Sequence, residues 1–302
     1  MTQQTFPLKQ LDLFVDSGVV VYVNEAIEAL IKRDVSKAEN CIQLIINEEP
    51  RNCSILQLQT LSRAIREWPF AASNPEQIAE AVKRLDLELQ PSAQALMRSE
   101  AADFLRPFWE ELASAAGSQV YDRAFTQSFC AGFYLRIGDY SATIRAVETV
   151  PNWDDIPDLL YWHSLARYRI NGFNGCHATL LRLAFLAPKQ FPIAISEMGD
   201  SILRKAWIAF KSDFDWLETD DESAGAWFPV WHIIKYSDSL FALDEVPKLA
   251  TLSVQAFNLL VRIIQSEKRG ISPPLVALRS KLRGLDQNVF NVYLAGRSIS
   301  QR

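Results

Sequence analysis

Apolar residues recur at helical spacing along almost the whole chain, and this constrains the fold more than any other feature. Tyr121, Phe125, Phe129 and Phe133, for example, step by four residues and would line one face of a helix. The alternation of apolar and polar residues that marks a half-buried strand is almost absent. Prolines mostly follow apolar runs, where a helix should end. The pattern therefore predicts an all-α protein whose helices are joined by connections of about two to six residues.

The predicted helices cover roughly 8–15, 19–33, 36–48, 54–68, 75–89, 92–105, 107–116, 119–137, 140–150, 157–171, 175–187, 193–212, 227–237, 246–268, 273–283 and 286–296.

One short phrase of the sequence recurs at a fixed distance. "YLRIGDY" begins at Tyr134 and "YRINGFN" at Tyr168, so that two tyrosines and two glycines, Gly138 and Gly172, are each 34 residues apart. A helix–turn–helix unit of that length needs a bulky residue in its first helix and a residue that closes the turn. Glycine suits the turn because it enters left-handed backbone conformations at little cost.

This spacing resembles the tetratricopeptide repeat, moderately over 121–188 and weakly over 20–50, where Ala38, Ile42 and Pro50 fit the second half of a unit. The resemblance implies stacked antiparallel helix pairs, an α-solenoid, with a concave groove lined by the first helix of each pair. The chain departs from the family at the Leu-Gly pair and at the small residue of the second helix. Cys130-Ala131, Ser164-Leu165, Thr143 and His177 stand at those places.

The longest polar interruption, "DFDWLETDDESAGA" at 213–226, suggests a division of the chain. We predict a helical-repeat region over 1–212 and a C-terminal helical region over 227–302, which can be continuous with the first. The acidic stretch 218–222 lacks the glycine and distal glutamate of an EF-hand, so a solvated loop is favoured over a cation site.

Composition is that of an ordinary soluble globular protein: of 302 residues, 49% are hydrophobic and 22% charged, with a net charge of −5. The polar N-terminus does not look like a signal peptide, and no apolar run approaches the ~18 residues of a membrane-spanning helix. We therefore expect a cytoplasmic protein without membrane contact. The four cysteines are scattered and are expected to be reduced thiols.

No motif for a cofactor, metal or catalytic centre stands out. The chain has no HExxH, GxSxG, GxGxxG or phosphate-binding loop, and its three histidines are not spaced as ligands. We predict no cofactor, no metal site and no catalytic residue, although a triad assembled in space would escape this test.

Aromatic residues crowd the stretch "WFPVWHIIKY" at 227–236. Trp227 and Trp231 share a helix face with Ile234, so a core stripe is favoured over a partner-docking patch. From Arg262 onward there are eight basic and two acidic residues. Pairing with opposite charge in the same molecule explains this more simply than nucleic-acid binding, and we do not expect nucleic acid as a partner.

The sequence favours a non-catalytic scaffold or adaptor that binds a protein or peptide partner. This partner can belong to a multi-subunit complex. Alternatives are an all-α enzyme with an unrecognisable site and a structural subunit of a larger assembly. The resemblance places Gln127, Arg136, Trp162 and Arg169 on the groove. Both arginines would then clamp a partner carboxylate beside Trp162, unless they are solvated or pair with local acids such as Asp139.

Overall fold

The computed structural model describes residues 17–68, 74–117, 119–217, 223–237, 249–267, 270 and 272–300, and within these ranges the protein is all-helical, without a strand. The all-α prediction is confirmed. The predicted helix at 8–15 and the acidic stretch 218–222 lie outside the described residues. No helix among those described is long and apolar enough to cross a membrane.

Internal packing divides the chain into two compact units, which end and begin at Ile137 and Gly138. This boundary differs from the one predicted in 213–226. The division describes which residues pack together and does not test where repeats begin or end. The repeat region over 1–212 and the C-terminal region over 227–302 therefore stay predictions. Solenoid stacking likewise stays a prediction.

The helices of unit 1 are α1 (Ser17–Ile31), α2 (Val35–Glu48), α3 (Ile55–Glu67), α4 (Pro75–Arg84), α5 (Gln90–Met97), α6 (Ala101–Ala116) and α7 (Cys130–Ile137). Neighbours in sequence pack together, as α1 with α2, α2 with α3 and α6 with α7. Because three residues join the long helices α1 and α2, these two must run antiparallel. Asp34 starts α2 by accepting a hydrogen bond from the Lys37 amide.

A π-helical turn, Leu85–Leu89, joins α4 to α5. Its cause is Pro91, which has no amide hydrogen and whose ring would clash with the carbonyl four residues before it. The Gln90 amide reaches back five residues to the Leu85 carbonyl, as the wider turn requires.

The helices of unit 2 are α8 (Tyr140–Glu148), α9 (Pro157–Leu186), α10 (Gln190–Met198), α11 (Ser201–Asp213), α12 (Phe228–Lys235), α13 (Leu252–Glu267), α14 (Pro273–Leu285) and α15 (Gln287–Ser300). Gly172 breaks α9 into two segments, with φ 65° and ψ −161°. Gly138, in the turn before α8, has φ 82°. The prediction that both glycines are turn residues with unusual backbone is confirmed.

Several helix boundaries differ from the predictions. The predicted helix 193–212 is two helices, because Gly199 is left-handed and Asp200 caps α11 by accepting from the Ile202 and Leu203 amides. The predicted break before Pro107 is wrong, since α6 runs through it and the break comes at Arg98, where φ is 49°.

The predicted helix 119–137 is also interrupted. A 3-10 segment, Arg123–Ser128, precedes α7, and Phe129 between them is extended. Tyr121 and Phe129 nevertheless pack edge to face, with ring centroids 5.2 Å apart. The aromatic residues therefore meet without forming one helical stripe.

Candidate functional site

A surface cleft of about 270 Å³ runs between α2 and α3 in unit 1. We call it the α2–α3 cleft. Its lining residues come from facing sides of the two helices: Glu39, Ile42, Gln43 and Ile46 from α2, and Gln59, Ser62, Arg63 and Arg66 from α3. The spacing of three and four residues places each set on one helix face.

Two isoleucines, Ile42 and Ile46, form the apolar part of the cleft, and its other six lining residues are polar. Ile42 and Ser62 are buried and Ile46 is half-buried, whereas Gln43 and Gln59 are exposed. Amide side chains of this kind offer both hydrogen-bond donors and acceptors to a bound chain. Such a lining suits a peptide segment, which needs an apolar surface for its side chains and partners for its backbone.

Charge is unevenly neutralised along the rim. Glu39 forms an ion pair with Arg66 and accepts a hydrogen bond of 3.3 Å from the Ser62 hydroxyl. Arg63 is exposed and has no ion-pair partner among the residues that the structure describes. The cleft therefore carries one guanidinium that is not balanced by a neighbouring carboxylate.

Arg136, a predicted partner-binding residue, is engaged within unit 1. Its Nη1 and Nη2 atoms lie 2.5 and 3.1 Å from the two carboxylate oxygens of Asp86, and its guanidinium stacks 4.2 Å from the Trp109 ring. The predicted alternative, pairing with a local acid, is thus what this arginine does, although the acid is Asp86 and not Asp139. A partner carboxylate at Arg136 would have to displace Asp86.

Arg169 and Trp162 lie in unit 2, on the first segment of α9. Arg169 is exposed and donates from Nη2 to the Glu197 carbonyl at 2.8 Å, while Trp162 is half-buried. Gln127 is exposed in unit 1, on the 3-10 segment and not on the first helix of a pair. The groove predicted from these residues and Arg136 is divided between the two units and stays a prediction.

Trp227 and Trp231 are buried, with 9% and 1% of their surface exposed, so the core interpretation of this stretch is confirmed. Trp231 donates from its indole nitrogen to Asp213 at 2.7 Å and packs on Phe228. Lys235 and Tyr236, at the end of the stretch, are exposed. The partner-binding role predicted for these tryptophans stays a prediction, which their burial does not support.

His177 and His232 form a buried pair between α9 and α12. Their ring centroids are 4.9 Å apart, and His177 Nε2 is buried without a hydrogen-bond partner. Burial lowers the pKa of His177 below its ordinary value. Burial, and after it the repulsion that a protonated His177 would exert, lower the pKa of His232 to about 3. Both rings are therefore neutral in the folded protein near pH 7.

His163 belongs to a separate cluster in unit 2. Its ring packs at a tilt on Trp153, with the ring centroids 4.1 Å apart, and its Nε2 lies 3.2 Å from Glu148, which also accepts from Arg167 at 2.9 Å. Burial lowers the pKa of His163 despite the nearby carboxylate. Burial would raise the pKa of Glu148, but hydrogen bonds from His163 and Arg167 outweigh it and lower that pKa. The cluster ties α8 to α9.

The basic C-terminal region is partly neutralised from within. Glu267 accepts hydrogen bonds from the Tyr293 hydroxyl and from Arg279 Nη2, the latter at 2.8 Å. Its second oxygen lies 2.7 Å from Arg297 Nη2, an ion pair that is not aligned as a hydrogen bond. One carboxylate thus joins α13, α14 and α15.

Among the described residues, no group of three or more His, Cys, Asp and Glu side chains is arranged to hold a metal ion. The four cysteines are free thiols, as predicted, and three of them are buried. Burial raises the pKa of Cys130, and that of Cys176 to about 12, so these two thiols are protonated near neutral pH.

Comparison with known proteins found no family model, curated protein or solved structure that matches the chain. The tetratricopeptide resemblance accordingly stays a prediction from the sequence. The α2–α3 cleft was not among the predicted sites. The polar residues Glu39 and Gln43, beside the apolar face of α2, could have indicated the cleft in the sequence. Whether they line a cleft, however, depends on which helix packs next to α2, and the sequence pattern does not predict that.

Proposed function

We propose that this protein is a helical interaction protein, a scaffold or adaptor without chemistry of its own, and that its α2–α3 cleft receives a segment of a protein partner. The observation that carries the proposal is the make-up of this cleft, in which two isoleucines lie between exposed amide and guanidinium side chains. A folded partner surface is less suited to a cleft of this size than an extended or helical segment.

The order of packing supports the same proposal. Many helices that are adjacent in sequence pack together, as α1 with α2, α2 with α3, α8 with α9 and α13 with α14, although α3 packs more closely on α5 than on α4. Such packing of sequential helices is also found in repeat proteins, which expose long surfaces to their partners. The predicted partner-binding residues remain separate candidates in each unit, Gln127 and Arg136 in unit 1 and Trp162 and Arg169 in unit 2. A partner that binds Arg136 has to compete with Asp86 for it.

Site-specific photo-cross-linking tests the proposal in the native host. A photoreactive residue replaces Gln43 at the cleft rim or, as a matched control, the exposed residue Lys83 on α4. A protein that cross-links at position 43 and not at 83 is identified by mass spectrometry, purified and titrated calorimetrically against the wild type and against Ile46→Lys.

We expect saturable binding with a defined stoichiometry, weakened at least tenfold by Ile46→Lys, which puts a charge on the apolar part of the cleft. Cross-linking at both positions alike, or a purified protein that does not bind, would contradict the proposal. Circular dichroism of Ile46→Lys checks that the variant is folded.

A further inference from the structure

We infer that the α2–α3 cleft recognises a carboxylate group carried by the bound segment, and that Glu39 competes with this carboxylate for the arginines of the cleft. The inference rests on the proposed function, because it names the chemistry of the segment that the cleft receives.

The charge of the cleft points to an anion. Two guanidiniums, from Arg63 and Arg66, face a single carboxylate, that of Glu39. Glu39 is engaged by Arg66 and by the Ser62 hydroxyl, which leaves Arg63 as the unbalanced charge. A guanidinium offers a planar fork of donors that matches a carboxylate and forms charge-assisted hydrogen bonds with it.

The surroundings of Arg63 favour an anion carried by a peptide. Ile42 and Ile46 give the otherwise polar cleft an apolar contact, which a small inorganic anion would not use. Gln43 and Gln59 stand on opposite helices and can pair with backbone amides and carbonyls of a chain between them. Gln43 now donates to Asn47 at 3.1 Å, an exposed hydrogen bond that costs little to exchange.

Glu39 pairs with an arginine that the ligand carboxylate could otherwise bind. Its carboxylate already occupies Arg66, so an incoming carboxylate meets one available arginine and one that is neutralised. Without the charge of Glu39, both guanidiniums would be available to the ligand carboxylate. The repulsion between this carboxylate and that of Glu39 would also be lost. Its loss should therefore strengthen binding of acidic segments, an effect that damage to the fold would not produce.

The experiment uses the full chain and a bead-displayed library of ten-residue peptides. Peptides retained by the wild type are resynthesised with a fluorescent label in matched pairs, in which each Asp or Glu is either kept or replaced by its amide. Affinities are measured by fluorescence anisotropy at low and at physiological ionic strength, since an exposed charge contact weakens with salt. The variants are Arg63→Gln, Glu39→Gln and, as control, Arg145→Gln, which alters an exposed arginine of α8.

The wild type should bind the acidic member of a pair three- to tenfold more tightly than the amide member, the range of a partly exposed charge contact. Arg63→Gln should bring this preference close to one. Glu39→Gln should raise the affinity for acidic peptides three- to tenfold and leave the amide members unchanged. Arg145→Gln should match the wild type.

Other results would overturn either the carboxylate, the cleft as the binding site, or both proposals. Peptides that bind without an acidic preference, but are lost in Ile46→Lys, would leave the cleft as the site and overturn the carboxylate. Acidic peptides that bind equally to wild type, Arg63→Gln and Glu39→Gln would overturn the cleft as their site while the interaction role stands. A library from which nothing is retained would overturn both proposals.

Discussion

At the scale of single residues, Gly172 holds a backbone conformation that other residues hardly adopt. Its φ of 65° and ψ of −161° lie in a region populated essentially by glycine alone, and an added Cβ would meet no atom within 4 Å. A substitution there is therefore penalised by the backbone and not by crowding. The change in the free energy of unfolding on substitution therefore reports the backbone strain alone, without a contribution from packing.

We expect Gly172→Ala to lower the free energy of unfolding by about 1–3 kcal/mol. The matched control is Gly284→Ala, which lies within α14 of the same unit and also has nothing within 4 Å of the added atom. There alanine should be neutral or should stabilise by about 0.5–1 kcal/mol, because glycine is unfavourable inside a helix. Urea denaturation monitored by circular dichroism measures both. Equal effects of the two substitutions would refute the argument.

The buried pair of His177 and His232 makes stability depend on pH in a definite direction. Folding lowers the pKa of both rings below the ordinary value of 6.5, and no carboxylate is among the causes. Below about pH 6.5 the unfolded chain therefore binds more protons than the folded one, and stability is lost as the pH falls. The slope approaches about 1.4 kcal/mol per pH unit for each histidine that stays neutral when folded.

His177→Phe tests this linkage without losing a hydrogen bond, because His177 Nε2 has no partner. We expect urea denaturation at a series of pH values from 7 to 5 to show a smaller loss of stability in the variant than in the wild type. His163 titrates in both proteins and serves as the common background. An unchanged slope would show that His177 is protonated as readily in the folded chain as in the unfolded one.

At the scale of helices, Glu267 joins the last three helices of the chain. Glu267→Gln keeps the volume of the side chain but leaves the guanidiniums of Arg279 and Arg297 without a counter-charge. We expect a loss of about 1–3 kcal/mol, below the cost of breaking a fully buried pair because these side chains are partly exposed. Arg283→Gln, which alters an exposed arginine bonded to Gln287, should stay within about 0.5 kcal/mol of the wild type in thermal and urea denaturation. A similar loss in both variants would contradict this role of Glu267.

Sequence pattern predicts helices well here and their partners poorly. The 3.6-residue period reflects one buried face, so α2, α3 and α14 lie close to the predicted positions. Boundaries fail where local chemistry overrides the period, as at Asp200, whose side chain caps a new helix inside an apolar run. The turn glycines were recognisable because a positive φ restricts the residue type, whereas the α2–α3 cleft depends on which exposed faces packing brings together.

The burial of Trp227 and Trp231 illustrates the same limit. Large aromatic side chains serve both cores and interfaces, so their type does not separate the two uses. What decides is the environment. Phe210 and Phe228 surround Trp231, and Asp213 accepts its indole hydrogen. The arginines show the opposite case, because a guanidinium predicted to reach a partner can instead find an acid such as Asp86.

At the scale of the whole molecule, the division at Ile137 and Gly138 predicts that the two units lose structure separately. Each unit is defined by contacts within itself, and local opening follows the density of such contacts. A destabilised unit should thus open without raising the opening of the other. Gly172→Ala provides the perturbation in unit 2, and Leu61→Ala, which removes a fully buried side chain of α3, provides it in unit 1.

Hydrogen exchange read by mass spectrometry resolves the two responses. Under mildly denaturing conditions, Gly172→Ala should speed exchange in the helices α8 to α15 and leave α1 to α7 as in the wild type. Leu61→Ala should do the reverse, with a loss of about 2–5 kcal/mol of protection confined to unit 1. Faster exchange throughout the chain in either variant would mean that the units unfold as one cooperative body. The α2–α3 cleft would then be subject to every destabilising change in the distant half of the sequence, and binding assays on unit 2 variants would need correction for it.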